Sequence, residues 1–314
     1  MQGSVFDYNI VKRNKGVTVN SHTQDITLSS PDWEDYELVD SGDRLKLERF
    51  GPYLLIRPEP RANWHPALPP ATWESAHAVF RPTKKDGSGH WQFHSPIDSP
   101  WIMSYKRLKF QVQVTDSRHV GVFGENGAHW DWIGDQTRAM QRPVQALNLF
   151  AYTGLATLAA ARAGASVTHV DAAKKVVKIA RQNQALSGLQ DRPIRWIVDD
   201  ALEFVRREAR RGVRYEGIIM DPPKFGRGPK GQVWEFSRMF PALCQTCRAI
   251  LSERPLFVVI TAYTSRTSPE TLCHTLDKMM AGFEGTITAG ELVTVEQSAG
   301  RVVANATFAR WHNS

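Results

Sequence analysis

The chain has few cysteines and no long apolar run, and both shortages limit what it can be. Three cysteines in 314 residues are too few for a disulfide-stapled secreted domain. A zinc centre needs four ligands, and Cys244-x-x-Cys247 has no second pair to complete one, so no metal is predicted. No apolar run approaches the roughly 20 residues that cross a bilayer, and no signal peptide is recognisable. We therefore expect a cytoplasmic protein with no membrane partner.

The turn between the segments 144–150 and 155–163 has few glycines, and their number indicates which kind of cofactor could bind there. The apolar run from Val144 to Phe150 and the Ala-rich segment from Leu155 to Ala163 predict a strand and a helix joined by a short turn. A dinucleotide fold opens such a turn with G-x-G-x-x-G so that a pyrophosphate reaches the backbone. This turn has only Gly154, with Tyr152 and Thr153 filling the space. The pattern favours a cofactor without phosphate, such as S-adenosylmethionine, whose acidic tail suits the helix N-terminus.

Acidic residues follow the next two predicted strands. The β-branched segment 166–170 ends in Asp171, about 17 residues past Gly154, an offset typical of a carboxylate that accepts both ribose hydroxyls of a nucleoside. The segment 193–198 ends in Asp199-Asp200, which opens a predicted helix over 202–211. One aspartate can cap that helix while the other faces the adenine amino group, the role predicted for Asp200. The alternative is that both only cap.

Two prolines follow the fourth predicted strand. Residues 215–220 run directly into Asp221-Pro222-Pro223. The prolines remove two backbone donors and stiffen the chain, so that the carbonyls of Asp221 and Pro222 are expected to stay unpaired. A carboxylate beside a free carbonyl can hold a planar nitrogen nucleophile in line with a methyl sulfonium. We therefore predict catalytic roles for Asp221, Pro222 and Lys224.

With these motifs, residues 119–314 resemble the class I S-adenosylmethionine-dependent methyltransferases, specifically the bacterial 23S ribosomal RNA methyltransferases of the I and K types. The resemblance is carried by Leu147-Asn-Leu-Phe-Ala-Tyr-Thr-Gly154, Val170-Asp171, Asn183, Asp199-Asp200, Asp221-Pro-Pro-Lys-Phe225 and His119-Val-Gly-Val-Phe-Gly-Glu-Asn126. It implies cofactor contacts at Phe123 and Asn126, although the family usually has Gln at the latter. The full set of predicted cofactor-binding residues is Phe123, Asn126, Asn148, Phe150, Tyr152, Thr153, Gly154, Asp171, Asp199, Asp200 and Asp221.

One departure from the resembling enzymes bears on the chemistry. Members that make 5-methylcytosine need a cysteine thiolate just after the fifth strand, because a ring carbon becomes nucleophilic only in a covalent adduct. Here the fifth predicted strand, 256–260, is followed by Thr-Ala-Tyr-Thr-Ser. Cys244 and Cys247 fall in a predicted helix over 235–251 and Cys273 in the next one, where packing is expected. Direct transfer to a base nitrogen is the simpler reaction.

The balance of 39 Lys plus Arg against 32 Asp plus Glu favours a polyanionic partner, predicted to be ribosomal RNA. The segment 224–231 is interpreted as a loop that grips phosphates. Predicted substrate-binding residues are Phe225, Arg227, Lys230 and Tyr263. The aromatic residues Phe225, Tyr263 and Trp234 are each either a stacking partner for the base or part of the core. The arginine run over 206–214 is interpreted as a solvated helix face.

The expected fold is α/β, with a Rossmann-like seven-stranded class I methyltransferase sheet carrying one antiparallel strand and a smaller N-terminal β-rich domain. The predicted divisions are an arm over 1–27, a β-rich substrate-binding domain over 28–116 and a methyltransferase domain over 117–314. No segment matches the RNA-binding PUA module of the resembling enzymes. The predicted function is methylation of a base nitrogen in ribosomal RNA. The alternatives are a methyltransferase for a protein or small molecule, and a catalytically silent RNA-binding protein of the same fold.

Overall fold

The structure, a computed structural model, describes residues 25–30, 33–83, 88–264 and 267–313. The predicted arm over 1–27 therefore lies almost wholly outside the described residues. The strands are β1 Asp25–Ser29, β2 Tyr36–Gly42, β3 Leu45–Phe50, β4 Tyr53–Pro58, β5 Ala78–Pro82, β6 Gly89–Phe93, β7 Trp101–Tyr105, β8 Leu108–Val112, β9 Gln145–Leu149, β10 Ser166–Asp171, β11 Ile194–Val198, β12 Gly217–Met220, β13 Phe225–Arg227, β14 Val233–Glu235, β15 Phe257–Ala262, β16 Thr286–Val295 and β17 Val302–His312.

The helices alternate with the strands in the second half of the chain. They are α1 Pro70–Glu74, α2 Gly127–Ala139, α3 Leu155–Ala163, α4 Lys174–Leu186, α5 Ala201–Arg210, α6 Phe236–Arg248 and α7 Pro269–Met280, with a 3-10 helix at Gly124–Asn126. None of the described helices is long and apolar enough to cross a membrane.

The chain forms two compact units. Of the described residues, the larger comprises 25–28, Ala128–Leu292 and 305–313, and the smaller comprises those within Ser29–Gly127 and Val293–Ala304. The proposed division into a substrate-binding and a methyltransferase domain stays a prediction.

The larger unit contains an eight-stranded sheet in the order β1-β16-β17-β15-β12-β9-β10-β11. Strands β9, β10, β11, β12 and β15 pair in parallel, and β17 runs antiparallel to β15. The seven strands from β16 to β11 confirm the predicted Rossmann-like sheet with an antiparallel strand, and β1 extends it by one. The order reverses between β9 and β12, and ligands of open α/β sheets bind at such a point, beyond the carboxyl ends of the strands.

Alternation along the central strands explains why helices cover both faces of this sheet. Leu147, Ile218 and Val258 join one buried cluster with apolar residues of α5, α6 and α7. Ala146 and Ile219, their neighbours in the chain, join a second cluster with residues of α2 and α3. Both clusters exclude water, which leaves the strand ends as the place where polar side chains gather.

The smaller unit is β-rich, as expected, with a five-stranded sheet β2-β3-β4-β5-β6 and a hairpin β7-β8. Its centre holds a buried ion pair in which Nε and Nη2 of Arg57 donate to both carboxylate oxygens of Glu48, over 2.6 and 2.8 Å. Tyr36 adds a hydrogen bond of 2.9 Å to the same carboxylate. A second buried network joins Asp40 to Arg301 over 3.0 Å.

Candidate functional site

The turn after β9 has an unusual backbone. Phe150 and Tyr152 have φ of 55° and 49°, and Gly154 has φ of 90°. Only glycine adopts this region freely, and a Cβ on Gly154 would lie 3.0 Å from Cβ of Ala180. For the two aromatic residues the conformation is unfavourable, so surrounding contacts must hold it. Strained backbone of this kind concentrates at ligand sites.

Asp171, at the end of β10, supplies one of those contacts. Its Oδ2 accepts a hydrogen bond of 2.9 Å from the amide of Tyr152, and its Oδ1 accepts one of 2.9 Å from the amide of Ala173. Burial raises the pKa of Asp171, against the lowering effect of these hydrogen bonds. The predicted ribose carboxylate thus lies against the predicted cofactor turn.

The turn and the helix that follows offer different groups to a ligand. Within the turn, the amide of Gly154 donates to the carbonyl of Ala151 over 3.0 Å, and that of Tyr152 is bonded to Asp171. Helix α3 begins without a side-chain cap at Gly154, so its first N–H groups are open to an acidic ligand group. Amides already bonded within the turn do not suit a pyrophosphate. Together with Asp171, this donor set fits a ribose and an amino-acid carboxylate, as S-adenosylmethionine carries.

Buried polar side chains form hydrogen bonds next to the turn and to its backbone. Nδ2 of Asn148 donates to Oγ1 of Thr157 over 2.9 Å, and this hydroxyl lies 3.0 Å from Nδ1 of His169. Nδ2 of the buried Asn183 donates to the carbonyl of Thr153 over 2.9 Å. Burial lowers the pKa of His169 to about 3, so the imidazole is neutral.

Thr157 and His169 were not predicted from the sequence as part of this site. A histidine inside a β-branched strand and a threonine inside an Ala-rich helix were the available signals. Asn148 was predicted to bind the cofactor, whereas the observed partner of its side-chain amide is Thr157. A cofactor contact by Asn148 stays a prediction.

The two aspartates after β11 have separate roles. Asp200 is the N-cap of α5, with Oδ1 accepting from the amide of Glu203 over 3.0 Å. Asp199 accepts from the amide of Asp200 over 2.9 Å and pairs with Arg207. Asp200, which the sequence predicts to bind the adenine, is therefore the residue that caps the helix. Its Oδ1 is already bonded to the amide of Glu203. Adenine recognition by Asp200 stays a prediction.

Asp221 follows β12, the neighbour of β9 on the side opposite β10. Its amide lies 3.4 Å from the carbonyl of Leu149, the last residue before the strained turn. Pro222 is buried, and Pro223 and Lys224 are exposed. The carboxyl ends of β9, β10 and β12 thus bring together the turn, Asp171 and Asp221, the series predicted from the sequence.

The segment after Asp221-Pro-Pro, predicted as a loop, is in fact a β-hairpin. Strand β13 pairs antiparallel with β14, because the Gly/Pro-rich stretch closes into a turn between them. Trp234 anchors it by donating from Nε1 to the carbonyl of Pro223 over 2.7 Å and packing 4.7 Å from the ring of Phe150. It is 2% exposed and belongs to the core. Phe225 is 57% exposed.

The remaining predicted site residues lie as follows. Arg227 and Lys230 are exposed on the hairpin. Tyr263, just past β15, is half-buried and packs against the buried cluster that includes Leu292 and Phe308. Phe123 is the N-cap of the 3-10 helix in the smaller unit. Asn126, in the same helix, is buried.

All three cysteines are free and buried in the larger core, which confirms the packing expected for them. Burial raises the pKa of Cys244 to about 12 and also raises the pKa of Cys247 and of Cys273. A buried thiol with a raised pKa is a poor nucleophile.

The arginine run on α5 is largely neutralised by its own neighbours. Arg206 pairs with Glu203 over 2.7 Å, Arg211 with Glu208 over 3.2 Å, and Arg207 with Asp199. The run is thus a solvated surface, as the sequence indicated, and its ion pairs with Glu203, Asp199 and Glu208 were not predicted.

The strained turn after β9 is bonded to Asp171 at the end of β10, and the sheet has the order β16-β17-β15-β12-β9-β10-β11. These features define a nucleoside-binding α/β enzyme of the class I methyltransferase fold. Residues 65–254 match the family described as S-adenosylmethionine-dependent methyltransferase. The crystal structure of the SAM-dependent methyltransferase from Agrobacterium tumefaciens is 40% identical, with a TM-score of 0.89, over 98% of this chain and 99% of that one. The chain therefore belongs to the S-adenosylmethionine-dependent methyltransferases. Its cofactor is S-adenosylmethionine.

Curated relatives cover shorter stretches. A ribosomal RNA large subunit methyltransferase K/L of Shewanella frigidimarina is 32% identical over 132 residues, which are 41% of this chain and 18% of that protein. A ribosomal RNA large subunit methyltransferase I of Klebsiella pneumoniae is 36% identical over 90 residues, 28% of this chain and 22% of that protein. The chain thus matches about a fifth of the length of these relatives.

Proposed function

We propose that this methyltransferase acts on RNA, specifically on a base nitrogen of ribosomal RNA. The observation that carries the proposal is Asp221-Pro-Pro-Lys-Phe225 at the carboxyl end of β12, beside the cofactor turn. The relatives named as ribosomal RNA methyltransferases support the substrate class.

When bound, the cofactor supplies an electrophilic methyl group on a sulfonium. The part of the protein is to present a nucleophile in line with it, since positioning is the main contribution to such a transfer. Asp221 can accept a hydrogen bond from an amino or ring nitrogen and take up the proton that it loses. Pro222 and Lys224 border this carboxylate. A nitrogen lone pair is already nucleophilic, so the reaction requires no covalent adduct.

The cysteines support transfer to nitrogen rather than carbon. Methylation of a pyrimidine carbon needs a thiolate that adds to the ring. The three thiols are buried among apolar residues, and burial raises their pKa values. The end of β15 and the residues that follow it, Thr261 to Ser265, contain no cysteine.

The hairpin β13-β14 supports an RNA substrate. A target base must leave its stack before it reaches an enclosed active site. An aromatic face can stack on the displaced base, and cations hold the adjacent phosphates. Phe225, Arg227 and Lys230 are exposed on the hairpin that follows Asp221-Pro-Pro, which makes them suited to these tasks.

Methyl transfer from labelled S-adenosylmethionine to protein-free large-subunit ribosomal RNA, followed by mass analysis of the nucleosides, tests the proposal. We expect a nucleoside that carries the new methyl on nitrogen. Label incorporated into protein or small metabolites but not into RNA would favour the alternative substrates, and label in 5-methylcytosine would contradict the nitrogen target.

Salt dependence gives a second criterion. Log affinity for single-stranded RNA should fall with log salt by about 0.7 per phosphate bound. Replacing Arg227 and Lys230 by alanine should flatten this slope. The same change at Arg210 and Arg214, exposed on and after α5, removes equal charge elsewhere and should leave the slope intact. A Michaelis constant independent of salt would favour an uncharged small substrate.

A further inference from the structure

Helix α4 carries an unusual distribution of charge. Residues 172–190 contain four cations, Lys174, Lys175, Lys178 and Arg181, and no acidic residue. All four side chains are exposed. Within the parts of the chain that the structure describes, none of the four has an ion-pair partner. The next helix along the chain, α5, differs, because Arg206, Arg207 and its C-cap residue Arg211 are each paired with a carboxylate.

The arrangement disfavours the helix in isolation. Lys174 and Lys175 are its first two residues, and its first turn has no acidic residue. There the positive end of the helix dipole repels cations. Lys174 and Lys178 are four residues apart, the spacing at which like charges oppose helix formation. A nearby polyanion would offset both effects.

Three of the cations form one stripe. Positions 174, 178 and 181 follow the i, i+4, i+7 spacing of a single helix face, and they span about 10 Å of the helix axis at 1.5 Å per residue. The opposite face is anchored by the buried residues Val177, Ala180 and Asn183. The exposed stripe is therefore cationic without apolar side chains to insert into a lipid surface.

The stripe begins close in the chain to Asp171, the predicted ribose-binding residue at the end of β10. Lys174 is three residues past Asp171, whose Oδ1 accepts from the amide of Ala173, the N-cap residue of α4. We infer that the α4 stripe of Lys174, Lys178 and Arg181 is a docking surface for the phosphate backbone of the RNA substrate. This inference rests on the proposed function and adds a binding surface on the Asp171 side of the sheet to that of the hairpin.

The triple variant Lys174→Ala, Lys178→Ala, Arg181→Ala tests the inference by binding of a labelled single-stranded RNA oligonucleotide at several salt concentrations. For each phosphate that the variant no longer binds, the slope should flatten by about 0.7, so by up to about 2 for three phosphates. At 0.1 M salt the same relation gives about fivefold weaker binding per phosphate. The melting temperature should stay equal or rise, because the variant removes repulsion within the helix. Affinity for S-adenosylmethionine should be unchanged.

The matched control is Arg206→Ala, Arg210→Ala, Arg214→Ala, which removes the same charge from the α5 region. Its slope should equal that of the wild type. If the α4 variant has the wild-type slope, or if the slope is reduced equally in both variants, the docking surface is overturned. The proposed function would still stand in that case, provided that the wild-type protein methylates RNA. A wild type that neither binds nor methylates RNA would overturn both. Loss of binding to phosphatidylserine vesicles with unchanged RNA binding would assign the stripe to a membrane surface instead.

Discussion

The amide of Tyr152 donates to Oδ2 of Asp171 over 2.9 Å, which joins a residue in a left-handed conformation to the end of the adjacent strand. This carboxylate thus helps to fix the shape of the turn, together with Asn183, which bonds to the carbonyl of Thr153. Because Asp171 is the predicted acceptor for the ribose hydroxyls as well, binding and turn geometry depend on the same side chain.

Asp171→Ala should weaken S-adenosylmethionine binding by roughly 30- to 1000-fold, because two charge-assisted hydrogen bonds contribute about 2 to 4 kcal/mol. Isothermal calorimetry measures the change. Asp191→Ala, at an exposed acidic residue after α4, is the control and should bind normally. Unchanged affinity in folded Asp171→Ala would remove the residue from the cofactor site.

Asp221→Ala should behave differently from Asp171→Ala. We expect turnover to fall by about 10²- to 10⁴-fold, the range for removal of a proton acceptor, while cofactor affinity stays within a few-fold of the wild type. Single-turnover methylation and calorimetry on the same preparation separate the two quantities. Wild-type turnover in this variant would exclude Asp221 from the reaction.

Replacing Cys244, Cys247 and Cys273 together by alanine should lower the free energy of unfolding by about 1 to 2 kcal/mol per site. The methylation rate per folded molecule should remain nearly intact, because no buried thiol takes part. A covalent complex with 5-fluorocytosine-containing RNA that disappears in one single-cysteine variant would contradict this mechanism.

Glu48 should make the stability of the smaller unit depend on pH. Burial alone raises the pKa of Glu48, but Arg57 and Lys46, with hydrogen bonds from Arg57 and Tyr36, outweigh it and hold the pKa at about 2. Since the folded-state pKa lies below the ordinary value, the stabilisation is present above about pH 5 and is lost as the pH falls toward 2. The difference is on the order of 3 kcal/mol.

Urea unfolding at pH 6 and at pH 3 tests this dependence. Glu48→Gln should destabilise the protein at pH 6 by about 3 to 5 kcal/mol, because Arg57 is left buried without its counter-ion, and should show a smaller change between the two pH values. Glu37→Gln, in the half-exposed pair with Arg49, should cost at most about 1 kcal/mol. Equal pH dependence in Glu48→Gln and wild type would contradict the assignment.

The local sequence pattern was enough to predict those site residues that lie at or just after the end of a strand. Asp171 and Asp221 directly follow apolar segments and Gly154 lies in the turn after one, so their gathering at one sheet edge followed from strand order. The helix start at Leu155 was likewise visible from the change of composition.

Features that depend on distant residues could not be predicted in this way. The hairpin that closes onto Trp234 has the sequence of a loop, since glycine and proline dominate it and the anchoring bond to Pro223 is tertiary. His169 gave no sign that Thr157 would be its partner. The eighth strand, β1, lies beside β16, more than 250 residues later in the chain, and no local periodicity encodes such a pairing.

The inclusion of Val293–Ala304 in the smaller unit has a consequence for biosynthesis. Ser41 and Glu296, which share a buried hydrogen bond, are 255 residues apart. At translation rates of about 5 to 20 residues per second, roughly 13 to 50 s separate their synthesis. During that interval the nascent chain holds Asp40 without Arg301, its ion-pair partner in the finished protein. The smaller unit is therefore completed only after the intervening strands and helices of the larger unit have been synthesised.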